Sequence, residues 1–314
     1  MKQTGKPIEN DAFQAESASL NLQQVQLKSF PLKVQFLCTS LVLLIFVWPV
    51  LLNGSLGDIS GSALYSFLGI IGASFANLSG AGGGIVFIPV FAQLGLSESQ
   101  SIATSFGIQY FGMTAGAITW SHHYFKNFRN SINWQSFPMI VALVSATSIT
   151  GLWSVYSGGT EPPSSLSNSF SIFSIVLGIA LLMQTLLISQ PIKTTSKLLI
   201  ADYLALIAVG YFGGIITAWL SVGVGELLVL YLLMRRFDVT LSIAAAVVVT
   251  AITVWSASFE HLWSNQFTVW QIVLFAGPGA IIGGAMAKTL ASMFSTRNLK
   301  IILGCWVLAM GLIG

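Results

Sequence analysis

The chain has 314 residues, of which 54% are hydrophobic and only 7% charged, and its formal net charge is +3. A soluble domain carries about 25% charged residues, so this composition excludes an ordinary soluble protein and points to a polytopic membrane protein. The cations are spread over short loops without a basic patch or interleaved aromatics, which excludes nucleic-acid binding.

In chain order, residues 1–33 form a polar tail with Lys2, Lys6, Lys28 and Lys33, partly balanced by Glu9, Asp11 and Glu16. It is too long and too polar for the charged start of a cleaved signal peptide. Residues 20–32 have an amphipathic character suited to the membrane surface. Crossing a bilayer takes about 20 apolar residues. The chain offers candidate spans at 34–53, 62–78, 100–120, 135–156, 168–189, 199–220, 239–260, 268–289 and 298–314, and two shorter apolar pieces at 84–95 and 225–234. Each short piece follows a glycine cluster: Ser79-Gly80-Ala81-Gly82-Gly83-Gly84 in one case, Ser221-Val222-Gly223-Val224-Gly225-Glu226 in the other. They read as half-helices after a helix break. Irregular backbone at membrane depth is tolerated where protein or a polar cavity satisfies it. Cys38 and Cys305 lie in apolar runs and read as two buried thiols; no clustered ligands suggest a metal site.

Lys and Arg set the orientation. With the tail inside and each broken segment treated as a hairpin-like pair, all 13 Lys and Arg residues fall on the inner side. The segments then divide into two halves of five: 62–78, 84–95, 100–120, 135–156 and 168–189, then 199–220, 225–234, 239–260, 268–289 and 298–314. Ser101-Ile102-Ala103 recurs as Ser242-Ile243-Ala244 at the offset that also relates Gly82 to Gly223 and Gly84 to Gly225, and Trp134-Gln135 recurs as Trp270-Gln271 after a short deletion. An odd number of segments per half requires opposite topologies. The predicted fold is therefore an all-α polytopic membrane bundle of two inverted-topology repeats, each with a broken helix pair, plus one extra N-terminal helix. Its parts are a cytoplasmic tail (1–33), the extra helix and outer loop (34–61), a first repeat (62–190) and a second, inverted repeat (191–314). Inverted repeats with broken helices are the architecture of many secondary transporters, with substrate near the midplane.

The stretch Ser79-Gly80-Ala81-Gly82-Gly83-Gly84-Ile85-Val86-Phe87-Ile88-Pro89 resembles the N-terminal signature of the TauE/SafE sulfite exporter family, also called the toluene sulfonate uptake permease group, and the second cluster is similar to its C-terminal copy. The resemblance covers roughly residues 60–314 and departs from the usual pattern at Glu226. It implies a permease for small sulfur oxyanions, such as sulfite, or for sulfonates and related organosulfur compounds. The expected location is a bacterial cytoplasmic membrane with the N-terminus inside. The expected partners are a small anionic substrate and the lipid bilayer; self-association is left open.

Helix N-termini present free N–H groups and about half a positive charge, which suits an anion. The candidate substrate-binding residues are Ser79, Gly80, Gly82, Gly83, Gly84, Ser221, Gly223 and Gly225 at the breaks, with Thr104, Ser105, Gln109 and Thr250 on the helices that follow. Against this, the glycines also suit close helix packing, Ser79 and Ser221 suit capping, and the other hydroxyls suit bonds within their own helices. Ala245 and Ala246 stand where the first half has Thr104 and Ser105, so the lining is asymmetric. Glu226 is an ionisable group at membrane depth, a functional candidate by default. A carboxylate beside an anion repels it unless protonated, so Glu226 reads as a proton-coupling residue, with structural capping of its half-helix as the alternative. Asp202 reads as an interfacial partner of Lys197, Glu260 and His261 as an interfacial pair, His122 and His123 as inner headgroup residues, and Trp219 as a buried aromatic beside the second break.

No catalytic residue and no cofactor is expected. An intramembrane serine protease needs a nucleophile facing a His, but all three His residues lie at span edges. A channel-like or metal-ion permease would want several embedded carboxylates or His residues; only Glu226 qualifies. No GxxxxGK[ST] motif is present.

Overall fold

The computed structural model describes residues 56–313 except 159–162, 164, 188–194, 265–266 and 294–295, and these belong to one compact unit, Trp48–Gly314. The predicted tail, the extra helix 34–53 and Cys38 lie outside the described residues. The described residues form ten α-helices and no strands: α1 (Leu56–Ser79), α2 (Gly84–Gln93), α3 (Glu98–His123), α4 (Phe137–Tyr156), α5 (Leu166–Leu187), α6 (Ile200–Leu220), α7 (Val224–Met234), α8 (Val239–Ser258), α9 (Trp270–Met293) and α10 (Thr296–Ile313). An all-helical answer meets the bilayer's demand, because a helix satisfies its backbone groups within one segment.

All ten predicted segments in this region appear, with ends shifted by a few residues. The largest shift is at α1, which starts at Leu56 rather than 62 and absorbs part of the expected outer loop. Local chemistry sets several boundaries. Ser97 caps α3 by accepting from Gln100 N at 3.3 Å, while the Gln100 side chain accepts from Ser97 N at 3.0 Å. Asp238 caps α8 by accepting from Leu241 N at 2.9 Å. Five helices are long and apolar enough to cross a membrane, within Ile132–Tyr156, Leu166–Met183, Ile200–Leu220, Val239–Leu262 and Trp270–Met293, while α2 and α7 are short apolar helices.

The most extensive helix pairings are related by exchange of α1–α5 with α6–α10. Helix α1 lies along α9, as α6 lies along α4; α3 packs on α9, as α8 packs on α4; α2 packs on α3, as α7 packs on α8. The pairs α3–α8 and α5–α10 map onto themselves. Both α3 and α8 also run into a π-helical turn, Tyr124–Phe128 and Phe259–Ser264. The tightest contacts use small residues, as helices in lipid require for close dispersion contact. A Cβ on Gly69 would stand 2.0 Å from the Ala276 carbonyl oxygen, and one on Gly151 would stand 2.0 Å from that of Tyr211.

The core centres on α3 and α8. Phe106, Ile108, Ala244, Val247, Val249 and Ala251 are fully enclosed. The expectation of two buried thiols fails at Cys305, which is exposed. Its helix, α10, is peripheral and packs chiefly on α5, so part of its surface faces away from the bundle.

Candidate functional site

The two breaks meet. The first runs from Ser79 at the end of α1 through Gly80, at φ +79°, to Gly84 at the start of α2. The second runs from Leu220 at the end of α6 through Ser221, at φ 58°, and Gly223, at φ +146°, to Val224 at the start of α7. Ser221 is left-handed although it has a side chain, a conformation that costs about 1–2 kcal/mol. Its side chain is tied on the spot: Ser221 Oγ donates to Ser105 Oγ at 3.0 Å, and Gln109 Nε2 donates to Ser221 Oγ at 2.8 Å and to the Ser221 carbonyl at 3.2 Å.

Free N–H groups of both breaks are met by side chains, chief among them Glu226, Gln109 and Thr217. Gly82 N donates to Glu226 Oε1 at 2.8 Å, and Gly223 N donates to Glu226 Oε2 at 2.8 Å. Glu226 is 2% exposed and lies in the first turn of α7, so the second contact is the ordinary reach of such a carboxylate back to its own helix start. The first contact crosses to the other half of the chain. Gly83 N donates to Gln109 Oε1 at 2.8 Å, and Gln109 Nε2 also donates to Ser105 Oγ at 3.0 Å. Val224 N donates to Thr217 Oγ1 at 3.0 Å.

The predicted site residues therefore separate. Gly82, Gly223 and Glu226 form one hydrogen-bonded set and Gly83, Ser105, Gln109 and Ser221 another, joined at the Gly82–Gly83 peptide. Gly80, Gly84 and Gly225 supply close backbone approach at the same place. Thr250 is 2% exposed and stands against the first turn of α7, its Oγ1 2.5 Å from where a Cβ on Gly225 would be, and this hydroxyl has no hydrogen-bond partner. Ser79 turns back into its own helix: Oγ donates to the Phe75 carbonyl at 2.7 Å and accepts from Ala81 N at 3.1 Å. Thr104 is turned toward the start of α9, where its Oγ1 accepts from Val269 N at 3.0 Å.

Thr217 is the contributor that sequence reading passed over. Its signal is its place in the last turn of α6, four residues before Ser221. Trp219 lines a cleft with Ile88, Pro89, Glu98, Ser101 and Phe170, and its indole N–H is buried without a partner. Leu220, immediately before the second break, also lines this cleft.

Other flagged groups lie elsewhere. Asp202 is 2% exposed, and its partner is Arg235 rather than Lys197: Arg235 Nε donates to Oδ1 at 2.5 Å and its Nη2 to Oδ2 at 3.0 Å. Tyr231 Oη donates to Oδ1 at 2.6 Å, and Leu199 N donates to Oδ2 at 2.7 Å. Together these tie the start of α6 to the end of α7. His261 is buried, its Nε2 within 2.9 Å of Tyr156 Oη, and it stacks on Phe106. His123 lies among Trp120, Phe128 and Trp134 and contacts Asn127 Nδ2 through Nδ1 at 2.9 Å.

Chemically, the arrangement is a small, water-poor nest of backbone N–H groups contributed by two helix N-termini, with amide and hydroxyl groups beside it. It suits negative charge. The model of the family described as Sulfite exporter TauE/SafE matches residues 65–313. No curated protein and no solved structure matches the chain.

Proposed function

The chain belongs to the Sulfite exporter TauE/SafE family, a family of membrane transporters, and from that premise we propose that it is a secondary permease for sulfur oxyanions, sulfite or sulfonates. The substrate binds between the N-termini of α2 and α7 near the bilayer midplane. The observation that carries this reading is the pair of 2.8 Å bonds from Gly82 N and Gly223 N to one carboxylate, Glu226. They mark a place where two half-helices from different halves of the chain already hold a bidentate anion.

In this reading, Gln109, Ser105 and Ser221 shape the nest, Thr250 lies on its α7 side, and the cleft beside Trp219 is an approach path. Glu226 binds a proton together with the anion, so that the pair crosses with little net charge. The two halves are inverted repeats that rock about the paired breaks to give alternating access. The N-terminus is cytoplasmic and the membrane is the bacterial cytoplasmic one.

Flux of labelled sulfite and of methanesulfonate in proteoliposomes, with and without an imposed pH gradient, tests the reading. Saturable flux of at least one of them, accelerated by the gradient, is the expected result. Absence of flux and of binding for every sulfur oxyanion tried would overturn it.

A further inference from the structure

We propose that Glu226 is a tethered substitute for the transported anion: in the unloaded protein its carboxylate occupies the substrate's own N–H donors, and an oxyanion binds only by displacing it. This rests on the breaks being the oxyanion site. Capping α7 needs only the bond from Gly223 N, made by Oε2. Yet Oε1 takes Gly82 N in the opposite break, a residue 144 positions away. One anion thus engages a leading donor of each break, while the neighbouring Gly83 N is met by the neutral Gln109 amide oxygen.

The two oxygens of a carboxylate lie about as far apart as two oxygens of a sulfite or sulfonate group. Donors arranged for one therefore serve the other, but not both at once. Charge sharpens the exclusion. Helices α2, α5 and α8 carry no Asp, Glu, Lys, Arg or His, and those of α3 and α6 (Glu98, His122, His123, Asp202) lie toward the helix ends, as does Arg235 at the end of α7. The positive potential at the nest therefore comes from backbone dipoles already committed to Glu226.

A second, independent observation marks the ligand. Thr250 is 2% exposed, stands against the first turn of α7, and has an unpartnered hydroxyl. A buried hydroxyl left so is costly, and nothing in capping requires it. A carboxylate has two oxygens; sulfite and sulfonates have three. Thr250 Oγ1 is the donor reserved for the third.

The test measures sulfite affinity and sulfite flux for the full chain in detergent and proteoliposomes, for wild type, Glu226→Ala, Glu226→Gln and Thr250→Val, with thermal unfolding reporting the fold of each. Removing a competing anion frees both N–H groups, so Glu226→Ala binds sulfite about tenfold more tightly than wild type at neutral pH, a gain worth about 1.4 kcal/mol. Its turnover falls, because nothing displaces the product. Glu226→Gln, which keeps an acceptor but not the charge, lies between. Thr250→Val weakens sulfite about tenfold without lowering the unfolding temperature of the unloaded protein. If wild type binds and transports sulfite but Glu226→Ala and Glu226→Gln, both folded, bind it no better, the displacement idea is overturned and the permease reading stands. If wild type binds no sulfur oxyanion, both fall together.

Discussion

The α-carbon of Gly225 lies against the carbonyl oxygen of Gly80: a Cβ added to Gly225 would stand 2.4 Å from that oxygen. The relationship is reciprocated across the halves, since a Cβ on Gly84 would stand 2.3 Å from the carbonyl oxygen of Ser221. Each half-helix therefore starts on the backbone of the other break, and the nearest obstacle in both cases is main chain, which cannot turn aside.

Gly225→Ala and Gly84→Ala should accordingly separate the breaks. Forcing a methyl group into packed backbone costs about 1–3 kcal/mol. Each variant is expected to unfold at lower temperature than wild type in detergent and to lose sulfite flux. Gly95→Ala is the comparison: Gly95 has φ +77° but nothing within 4 Å of an added Cβ, so only the backbone strain is felt, about 1–2 kcal/mol, and flux should persist. Equal loss of flux in all three would remove the special role of the two contacts.

Gln109 holds three elements at once, through Gly83 N, Ser105 and Ser221. Gln109→Leu keeps the bulk but orphans a buried N–H and leaves the left-handed Ser221 less restrained. The cost of one such buried orphan is about 1–3 kcal/mol. The variant is expected to show a lower unfolding temperature and weaker sulfite binding. Wild-type affinity in a folded Gln109→Leu protein would place Gln109 outside the site.

Asp202 should matter to the stability of the fold and Lys197 should not. Asp202→Ala strips the buried partner from Arg235, Tyr231 and Leu199 N together. Arg235 is 35% exposed, which moderates the loss, and about 1–3 kcal/mol is expected. Lys197→Ala is expected to stay within about 0.5 kcal/mol of wild type, as surface changes do. Denaturant or thermal unfolding of the two variants side by side decides it.

The helices were legible because apolar run length and glycine clusters report the same thing at this composition. The ten helices among the described residues match predicted segments within a few residues, and both half-helices are distinguished from spans. The cluster was legible in part. Gln109 and Ser105 sit one turn apart on α3, a spacing that puts them on one face, and they do share partners. Thr104, their neighbour, points to the start of α9, because adjacent helical residues face different directions. Asp202 was given the wrong partner because sequence proximity favoured Lys197. The hairpin of α6 and α7 instead returns Arg235 to the start of α6, and the orientation argument, which puts both ends on the inner side, already contained that signal. The crossing of Glu226 to Gly82 was not legible, since it depends on how two breaks meet in space.

Trp219 offers a donor in a mostly apolar cleft. Trp219→Phe keeps the aromatic bulk and deletes the unpartnered indole N–H. If the cleft is the approach path, flux should fall severalfold while equilibrium binding at the breaks and unfolding temperature stay close to wild type. Unchanged flux would assign Trp219 to packing alone.

The inversion of the halves makes a prediction about sides of the membrane. Exchange symmetry of the helix neighbours is a property of the bundle, whereas inversion requires that equivalent loops face opposite sides. Asn130, between α3 and α4, is exposed, as is Ser157, after α4. With Lys126 and Arg129 beside it, Asn130 is expected inside by the positive-inside rule, and one crossing of α4 then puts Ser157 outside. The loop equivalent to Asn130 in the second half, around Phe267, carries no Lys or Arg between Glu260 and Trp270 and is expected outside. Single cysteines at these three positions, in a Cys38→Ser, Cys305→Ser background, should therefore react with a membrane-impermeant maleimide on intact cells at positions 157 and 267 but not at 130. Labelling of 130 and 267 from the same side would mean parallel repeats, and the two half-helix N-termini would then have to reach the nest from one side of the bilayer.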